Sequence, residues 1–445
     1  MHTTIGKGAL VQIRVWRHHP AMDAQYKAPP RTVGFIGSTL FPINGMVGAG
    51  IFALPAVLAA AVGSFAPWMM LIGGLLFMPL ALVYAWLATR FEHSGGPVLY
   101  GEAAFGRFIG FQAGWGRYSS NIVTAAANTH VMVTYLAALF PWLAEVQGLA
   151  VAALIAAFVF VNLIGMRSAV GTLGVMTAIK LVPLLLLVVA ALFAGDPAIG
   201  FALPQFGEVE SVILLTFYAF MGFENLTETA GEVKDARRNV PRALVSMVAA
   251  VSVLYVLVIW AYLAISPTGA DDNALAGAAR AVMGDVGAVM IVIAAAFSIG
   301  ANNLGSGTSL PRLTYGMAER GMLPRWFMRV DEKQGTPRNS ILFYGGFAIL
   351  FGLWEGFEVL AVAGTMVRLV TYLICCAALP VLERREGALN PVHLAASAIA
   401  IVSSLWVATH ADLQALVIFA AIIAGGTVLY FIAARERPVT PITEA

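Results

Sequence analysis

A short apolar stretch of the sequence combines residues that disfavour a continuous helix. Residues 43–55 read INGMVGAGIFALP, with glycines at 45, 48 and 50. Glycine is a poor helix former, so the helix is expected to unwind here. Lipid offers no hydrogen-bond partner to the freed backbone groups, but a bound polar solute does. Freed N–H groups at a helix start favour anions and freed carbonyls favour cations, which together suit a zwitterion such as an α-amino acid.

A second apolar segment is interrupted in the same way. Residues 217–233 read FYAFMGFENLTETAGEV, in which an apolar half gives way to a polar half at Gly222. These are the first and sixth apolar segments of the chain, five apart, so a repeated unit of five helices would enter the membrane inverted. Paired interrupted helices at matching positions indicate an inverted-repeat transporter. The alternative is that the glycines only allow close helix packing.

The composition predicts a protein embedded in lipid. Hydrophobic residues make up 60% of the 445 residues, charged residues 11%, and the mean hydropathy is +0.83. A soluble chain keeps about a quarter of its residues charged. A membrane span needs about 20 apolar residues. The sequence predicts twelve spans, at residues 33–62, 67–91, 113–140, 149–165, 170–194, 210–232, 242–265, 282–311, 339–354, 357–382, 391–409 and 412–433.

The basic residues orient these spans. With the N-terminus in the cytoplasm, all but three of the 26 Lys and Arg residues are assigned to the cytoplasmic side, in tails, loops or the adjoining ends of spans, as the positive-inside rule requires. The exceptions are Arg280, placed outside, and Lys180 and Arg368, placed within spans. No cleavable signal peptide is recognised, and residues 1–32 and 434–445 are predicted to be cytoplasmic tails. We expect a multi-pass protein of the plasma (inner) membrane.

Four sequence motifs resemble the amino acid–polyamine–organocation (APC) transporters. They are GAGIFALP at 48–55, YAWLATRFEHSGGPVLYGEAAFG at 84–106, FYAFMGFENLTETAGEVKDARRNVPRAL at 217–244 and LPRLTYGMAERGMLPRWF at 310–327. They occur in the order and topology of the family. The resemblance implies an all-α membrane protein with a LeuT-like five-plus-five inverted repeat, formed by residues 33–194 and 210–382. Two extra C-terminal helices would lie within 391–433.

The resemblance also implies a midplane site for an amino acid. The backbone N–H groups of Gly48, Ala49 and Gly50 would bind the carboxylate, and Tyr218 or Phe220 would form an aromatic gate. Asn121 lies near a position that contacts substrate in some members. The positions carried over as substrate-binding are Met46, Gly48, Ala49, Gly50, Asn121, Tyr218, Ala219, Phe220 and Met221. Because the methionines and alanines among them are apolar or small, a mostly apolar site for neutral amino acids is expected.

Lys180 and Glu224 are the candidates for proton coupling. A lysine inside a span is costly unless it faces the protein interior, where it can lose and regain a proton. The motif Lys180-Leu-Val-Pro183 resembles the family motif that stands where sodium binds in sodium-coupled relatives. The alternative is a structural lysine that ties the fifth span to carbonyls of the first. Glu224 resembles a family acid linked to gating or proton sensing.

Three further ionisable residues fall at or within spans. Arg368, deep in the tenth span, is expected to pair with an acid or with carbonyls, in a structural role. Glu228 and Glu232 follow Glu224 at steps of four, so they share one face if that half of the span is helical. The simplest interpretation of both is a polar stripe that lines the cytoplasmic vestibule.

These features predict a secondary transporter of amino acids that works by alternating access and is proton-coupled. The alternatives are an amino acid or amine exchanger without proton coupling and, in a different class, a solute channel. Glu224 keeps cationic substrates open. The sequence contains no ATP-binding motif and no cluster typical of a metal or catalytic site, so no enzyme activity, cofactor or nucleic-acid partner is predicted. The expected partners are an amino acid, protons and the lipid bilayer.

Overall fold

A computed structural model describes residues 31–91, 95–164, 170–196, 201–265, 273–331 and 333–436. Within these ranges the regular structure is helical, apart from one isolated parallel bridge between Val33 and Val233. The α-helices are α1 Phe35–Met46, α2 Gly50–Val62, α3 Ala66–Arg90, α4 Gly96–Phe105, α5 Arg107–Ala137, α6 Trp142–Glu145, α7 Gln147–Ile164, α8 Val170–Ala194, α9 Phe206–Phe220, α10 Asn225–Glu228, α11 Ala236–Ile265, α12 Ala274–Glu319, α13 Arg338–Trp354, α14 Phe357–Arg385, α15 Pro391–Ala408 and α16 Leu413–Arg435.

Helices occupy each of the twelve apolar segments predicted from the sequence, and in the described residues nine helical stretches are long and apolar enough to cross a membrane. The boundaries differ most at α12 and at α5 and α11, which begin at Arg107 and Ala236 rather than at residues 113 and 242. The helix α12 begins eight residues before its predicted segment and bends at Gly284, whose φ is +67°. Polar residues obscured these starts because the expected spans were read from uninterrupted apolar runs.

The outer helices expose apolar side chains, as a lipid-facing surface requires. On α7 and α8, Leu149, Phe160 and Phe193 are respectively 69%, 63% and 88% exposed. On α16, Leu413 and Phe431 are 78% and 59% exposed. By contrast, α3, α5 and α14 are largely buried, and they surround the two interrupted helices. The functional elements therefore lie in the protein interior.

Both predicted interruptions are present. The first apolar segment forms α1 and α2, and residues 47–49 between them are non-helical. The sixth forms α9, which ends at Phe220, and the short helix α10, which begins at Asn225. At the second break Gly222 has a φ of +104°, a conformation that side chains other than glycine rarely adopt.

The last turn of α1, which leads into the first break, contacts the second break directly through backbone atoms. A Cβ atom added to Gly45 would lie 2.2 Å from the carbonyl oxygen of Gly222, and one added to Gly222 would lie 2.6 Å from the carbonyl carbon of Gly45. Real Cβ contacts are never this short, so only glycines allow the crossing. The polar backbone of each break is thereby brought to the same point of the interior.

Substituting either crossing glycine is expected to destabilise the protein. Gly45→Ala or Gly222→Ala places a methyl group against backbone and is expected to cost about 1–3 kcal/mol or more. Gly222→Ala also forces a strained φ. A lower apparent melting temperature of the purified protein in detergent checks this prediction.

Gly425→Ala is the matched control. Gly425 lies inside α16 with no heavy atom within 4 Å of an added Cβ. Alanine is the better helix former by roughly 0.5–1 kcal/mol, so this variant should melt at or slightly above the wild-type temperature. Crossing-glycine variants that melt like this control would contradict the close approach.

Candidate functional site

A cavity lies where the two helix breaks meet. Its free space is about 40 Å³, room for roughly three water molecules. The lining combines residues of both breaks with residues of α5, α12 and α14. These residues are Gly45, Met46, Gly48, Ala49, Gly50, Asn121, Thr124, Asn128, Tyr218, Met221, Gly222, Asn225, Asn302, Ser306 and Arg368.

Side chains from neighbouring helices bind the carbonyls freed at the end of α1. The Lys180 ammonium, on α8, donates to the Val47 carbonyl at 3.0 Å and lies 3.5 Å from the Asn44 carbonyl. The Ser298 hydroxyl, on α12, also donates to Val47, at 2.8 Å. The Asn302 amide donates to the carbonyls of Asn44 and Gly45 at 3.2 and 3.0 Å. The break is thus held open by partners that the protein itself supplies.

Tyr255 links the two breaks. Its hydroxyl, on α11, lies 2.8 Å from the Met46 carbonyl oxygen and 2.9 Å from the Ala219 carbonyl oxygen, and it is completely buried. A hydroxyl has one proton, so it donates to one carbonyl at a time. One side chain therefore tethers the end of α1 and the end of α9.

The N-terminus of α2 keeps free donors at the cavity. No side chain caps this helix, and within the described residues the backbone N–H groups of Ala49 and Gly50 donate to no protein acceptor. The first N–H groups of a helix have no intrahelical acceptor, and the helix dipole adds partial positive charge there. A carboxylate placed here would meet converging donors.

The structure brings seven of the nine predicted substrate positions to the cavity: Met46, Gly48, Ala49, Gly50, Asn121, Tyr218 and Met221. The other two lie beside it. Ala219 packs against Gly50 and accepts from Tyr255. The Phe220 ring lies 5.6 Å from the Phe77 ring and 5.5 Å from the Tyr255 ring, away from the cavity. Of the two aromatic gate candidates, only Tyr218 lines it.

The expectation of a mostly apolar lining is wrong. Eight of the fifteen lining residues carry polar or charged side chains, and four are glycines. Thr124, Asn128, Asn225, Asn302 and Ser306 were missed. A signal existed, because Asn121, Thr124 and Asn128 recur at helical spacing on one face of α5. The same holds for Asn302 and Ser306 on α12.

Glu224 and Arg368 form a buried ion pair beside the cavity. The Arg368 Nη1 binds Glu224 Oε1, and its Nε donates to the Ser120 hydroxyl at 2.6 Å. Glu224 Oε2 also accepts from the Gly222 backbone N–H at 3.0 Å and from the Tyr372 hydroxyl at 3.3 Å. The expectation that Arg368 pairs with an acid is confirmed. The pair ties α14 to the second break.

A second ion pair joins α5 to α10. The Arg117 Nε donates to Glu228 Oε1 at 2.5 Å, and its Nη2 donates to the Asn225 side-chain oxygen at 2.5 Å. Glu224 lies 3.6 Å from Arg117, so the two pairs form one network. Arg117 was assigned to the cytoplasmic side, but it lies ten residues into α5 and is 1% exposed. The positive-inside rule assumes that basic residues stay in water, and it does not anticipate that Glu228 neutralises Arg117 in the protein interior.

Removing one member of the second pair is expected to be costly. Arg117→Met leaves the Glu228 carboxylate buried without its cation, and Glu228→Gln leaves Arg117 with only Glu224, at 3.6 Å, which already pairs with Arg368. Each loss is expected to cost about 3–5 kcal/mol, whereas the double variant should recover much of it because no lone charge remains. Apparent melting temperatures of the four proteins check the cycle.

An exposed pair provides the control for that cycle. Arg280 and Asp285 lie 3.1 Å apart with side chains 54% and 90% exposed. Arg280→Gln should change stability by less than about 1 kcal/mol, since water screens surface pairs. Equal effects of the buried and exposed substitutions would show that the Arg117 network contributes nothing specific.

Known proteins are similar in sequence to this chain over most of its length. The sequence profile of the amino acid permease family matches residues 33–437. Uncharacterized transporter Rv1999c of Mycobacterium tuberculosis is 31% identical over 333 residues, covering 71% of this chain and 72% of that protein. The serine/threonine exchanger SteT of Bacillus subtilis is 27% identical over 376 residues, covering 80% of this chain and 84% of that protein.

The family match explains why helices long enough to cross a membrane surround an internal polar cavity. It covers both helix breaks and every residue that lines the cavity. The APC resemblance of the sequence motifs is thereby confirmed. The chain belongs to the amino acid permease family of the APC superfamily and is a multi-pass integral membrane transporter.

Proposed function

We propose that the protein is a secondary active transporter that moves amino acids across the plasma membrane by alternating access. The observation that carries this proposal is the meeting of two helix breaks at one cavity. There the uncapped N-terminus of α2 offers N–H donors to a carboxylate. The cavity also adjoins the C-terminal end of α9, whose partial negative charge favours an ammonium group. The site therefore matches the two charges of an amino acid.

The proposed architecture has twelve spans with cytoplasmic termini and a five-plus-five inverted repeat. Its support is the symmetry of the helix contacts. Span three packs on span ten (α5 on α14), and its counterpart under a five-helix shift is span eight on span five (α12 on α8). Span nine on three and span four on eight form another such couple (α13 on α5, α7 on α12). The packing of span one on span seven (α1 on α11) and of span six on span two (α9 on α3) forms a third such couple.

In this arrangement the ion network forms the cytoplasmic closure of the site. The chain of α5 enters from the cytoplasm at Arg107, so Arg117 lies on the cytoplasmic side of the cavity residue Asn121. Breaking the pairs Arg117–Glu228 and Arg368–Glu224 would release α10 from α5 and α14. The crossing of Gly45 and Gly222 supplies the point about which the half-helices move.

Lys180 is proposed to couple transport to protons. Its ammonium binds backbone carbonyls of the first break, and within the described residues no carboxylate pairs with it. A buried lysine without a counter-ion readily gives up its proton. Proton loss would weaken its hold on the Val47 carbonyl and so loosen the first break. Glu224 is proposed to take part through its ion pair with Arg368.

Uptake by proteoliposomes tests the transport and coupling proposals together. An amino-acid panel is offered with and without an inward proton gradient, first in the absence of sodium and then with sodium added. We expect saturable uptake that the gradient stimulates and that Lys180→Ala makes insensitive to the gradient, because the titrating group is gone. An entrapped pH-sensitive dye measures the accompanying proton flux.

Lys333→Ala is the matched control for this experiment. Lys333 is exposed on the loop before α13, far along the chain from the cavity residues. It should keep the wild-type response to the gradient. Uptake by the wild type that requires sodium, or a proton response that survives in Lys180→Ala, would exclude the proposed role of Lys180.

A second candidate function is amino acid exchange without proton coupling. It is favoured by the relative SteT, whose name describes a serine/threonine exchanger. An exchanger moves labelled amino acid only when unlabelled amino acid is present on the opposite side, and it is indifferent to the proton gradient. Counterflow also separates both candidates from a channel, because a channel shows none.

A further inference from the structure

Arg368 is the one charged side chain among the described residues that line the cavity. It is 1% exposed, so its guanidinium lies within the protein. Nε donates to Ser120 and Nη1 binds Glu224, whereas Nη2 donates to no described residue. A guanidinium carries five N–H donors, so several remain for a group inside the cavity. A buried charged side chain with unused donors at a cavity points to a ligand atom that accepts them.

The neighbouring amides increase the number of donors in the cavity. The Asn121 side-chain oxygen accepts from Tyr344 at 2.9 Å, and the Asn225 side-chain oxygen accepts from Arg117 at 2.5 Å. The side-chain oxygens of these two lining residues are thus engaged, which leaves their NH2 groups as donors. The lining therefore favours a ligand that carries a hydrogen-bond acceptor beyond its backbone groups.

Charge balance decides between acceptor classes. The network contains two arginines and two glutamates, Arg117 and Arg368 with Glu224 and Glu228, so it is already neutral. An acidic side chain would add an uncompensated buried anion, and a basic side chain would face the Arg368 cation; both are costly. The cavity holds about 40 Å³ of free space, so its lining must move apart for any amino acid, and a small side chain requires the least movement.

We infer that Arg368 forms a side-chain subsite that selects small amino acids with a neutral oxygen acceptor, a hydroxyl or an amide, over aliphatic amino acids of the same shape. This inference rests on the proposed function. It makes Arg368 a specificity-determining residue in addition to a structural ion-pair partner. A site that is built to hydrogen-bond a hydroxyl rejects the analogue that lacks it, because its buried polar groups are left unpaired.

Isosteric competition in counterflow tests the subsite on the unmodified protein. Proteoliposomes exchange labelled serine against unlabelled threonine, valine, serine, alanine, asparagine or aspartate. We expect threonine to compete at least roughly tenfold better than valine, and serine better than alanine by a similar factor, as a hydrogen bond to a charged donor implies. Asparagine should compete and aspartate should not.

A neutralised double variant assigns the preference to Arg368. Glu224→Gln combined with Arg368→Met removes both charges, so no lone ion stays buried. We expect its threonine-over-valine ratio to fall near one. The ratio is measured within a single variant, so it reports selectivity whatever exchange rate the loss of this ion pair leaves. Exchange needs no proton gradient, which separates this readout from the coupling role of Glu224. Arg280→Gln, an exposed arginine outside the cavity, should keep the wild-type ratio.

The outcomes are distinguishable. Equal competition by threonine and valine in the wild type, strong competition by aspartate, or a preference that survives in the double variant overturns the subsite while leaving amino acid transport intact. If the double variant fails to fold, Arg368→Lys retains a cation for Glu224 but loses the forked donor, and it should reduce the ratio. Absence of counterflow with every amino acid overturns the proposed function and the subsite together.

Discussion

The structure depends on one constraint: backbone groups freed within a membrane must find hydrogen-bond partners inside the protein. Two helices are interrupted, and the carbonyls at the end of α1 are bound by side chains of Lys180, Ser298 and Asn302. Tyr255 spans both breaks. These partners come from α8, α11 and α12, so the packing of these three helices around the breaks fixes the geometry of the cavity. The N–H groups of Ala49 and Gly50 differ, because no described side chain satisfies them.

The buried charges follow the same reasoning. Two arginines in the interior of a membrane protein would each be prohibitive alone. Here Glu224 and Glu228 compensate them, and Ser120, Asn225 and Tyr372 satisfy further hydrogen bonds. Such pairs add little net stability compared with apolar packing, but they are strongly directional. These directional contacts link three separate elements, α5, α10 and α14.

The helix breaks could be predicted from the sequence, because glycine, proline and polar residues inside an apolar run disrupt the helix at their own positions. The long helices were predictable because an apolar run of about 20 residues is also a local feature of the sequence. Pairings between distant segments were not. Nothing local shows that Arg117 meets Glu228 or that Tyr255 reaches Met46, since these contacts depend on how helices pack. The apolar expectation for the site failed because it considered only the residues of the breaks, whereas α5 and α12 supply amides from outside them.

Arg368 takes part both in the ion pair that is proposed to close the cavity and in the lining that would contact a bound ligand. Its Nη1 binds Glu224, which in turn accepts the Gly222 N–H at the second break, while Nη2 has no partner among the described residues. A ligand oxygen on Nη2 would share the guanidinium with Glu224 and satisfy donors that are otherwise unpaired. Ligand binding and the ion pair then favour the same arginine position, because both hold one rigid planar group. Recognition of a side chain and closure of the site therefore depend on a single residue of α14 rather than on separate elements.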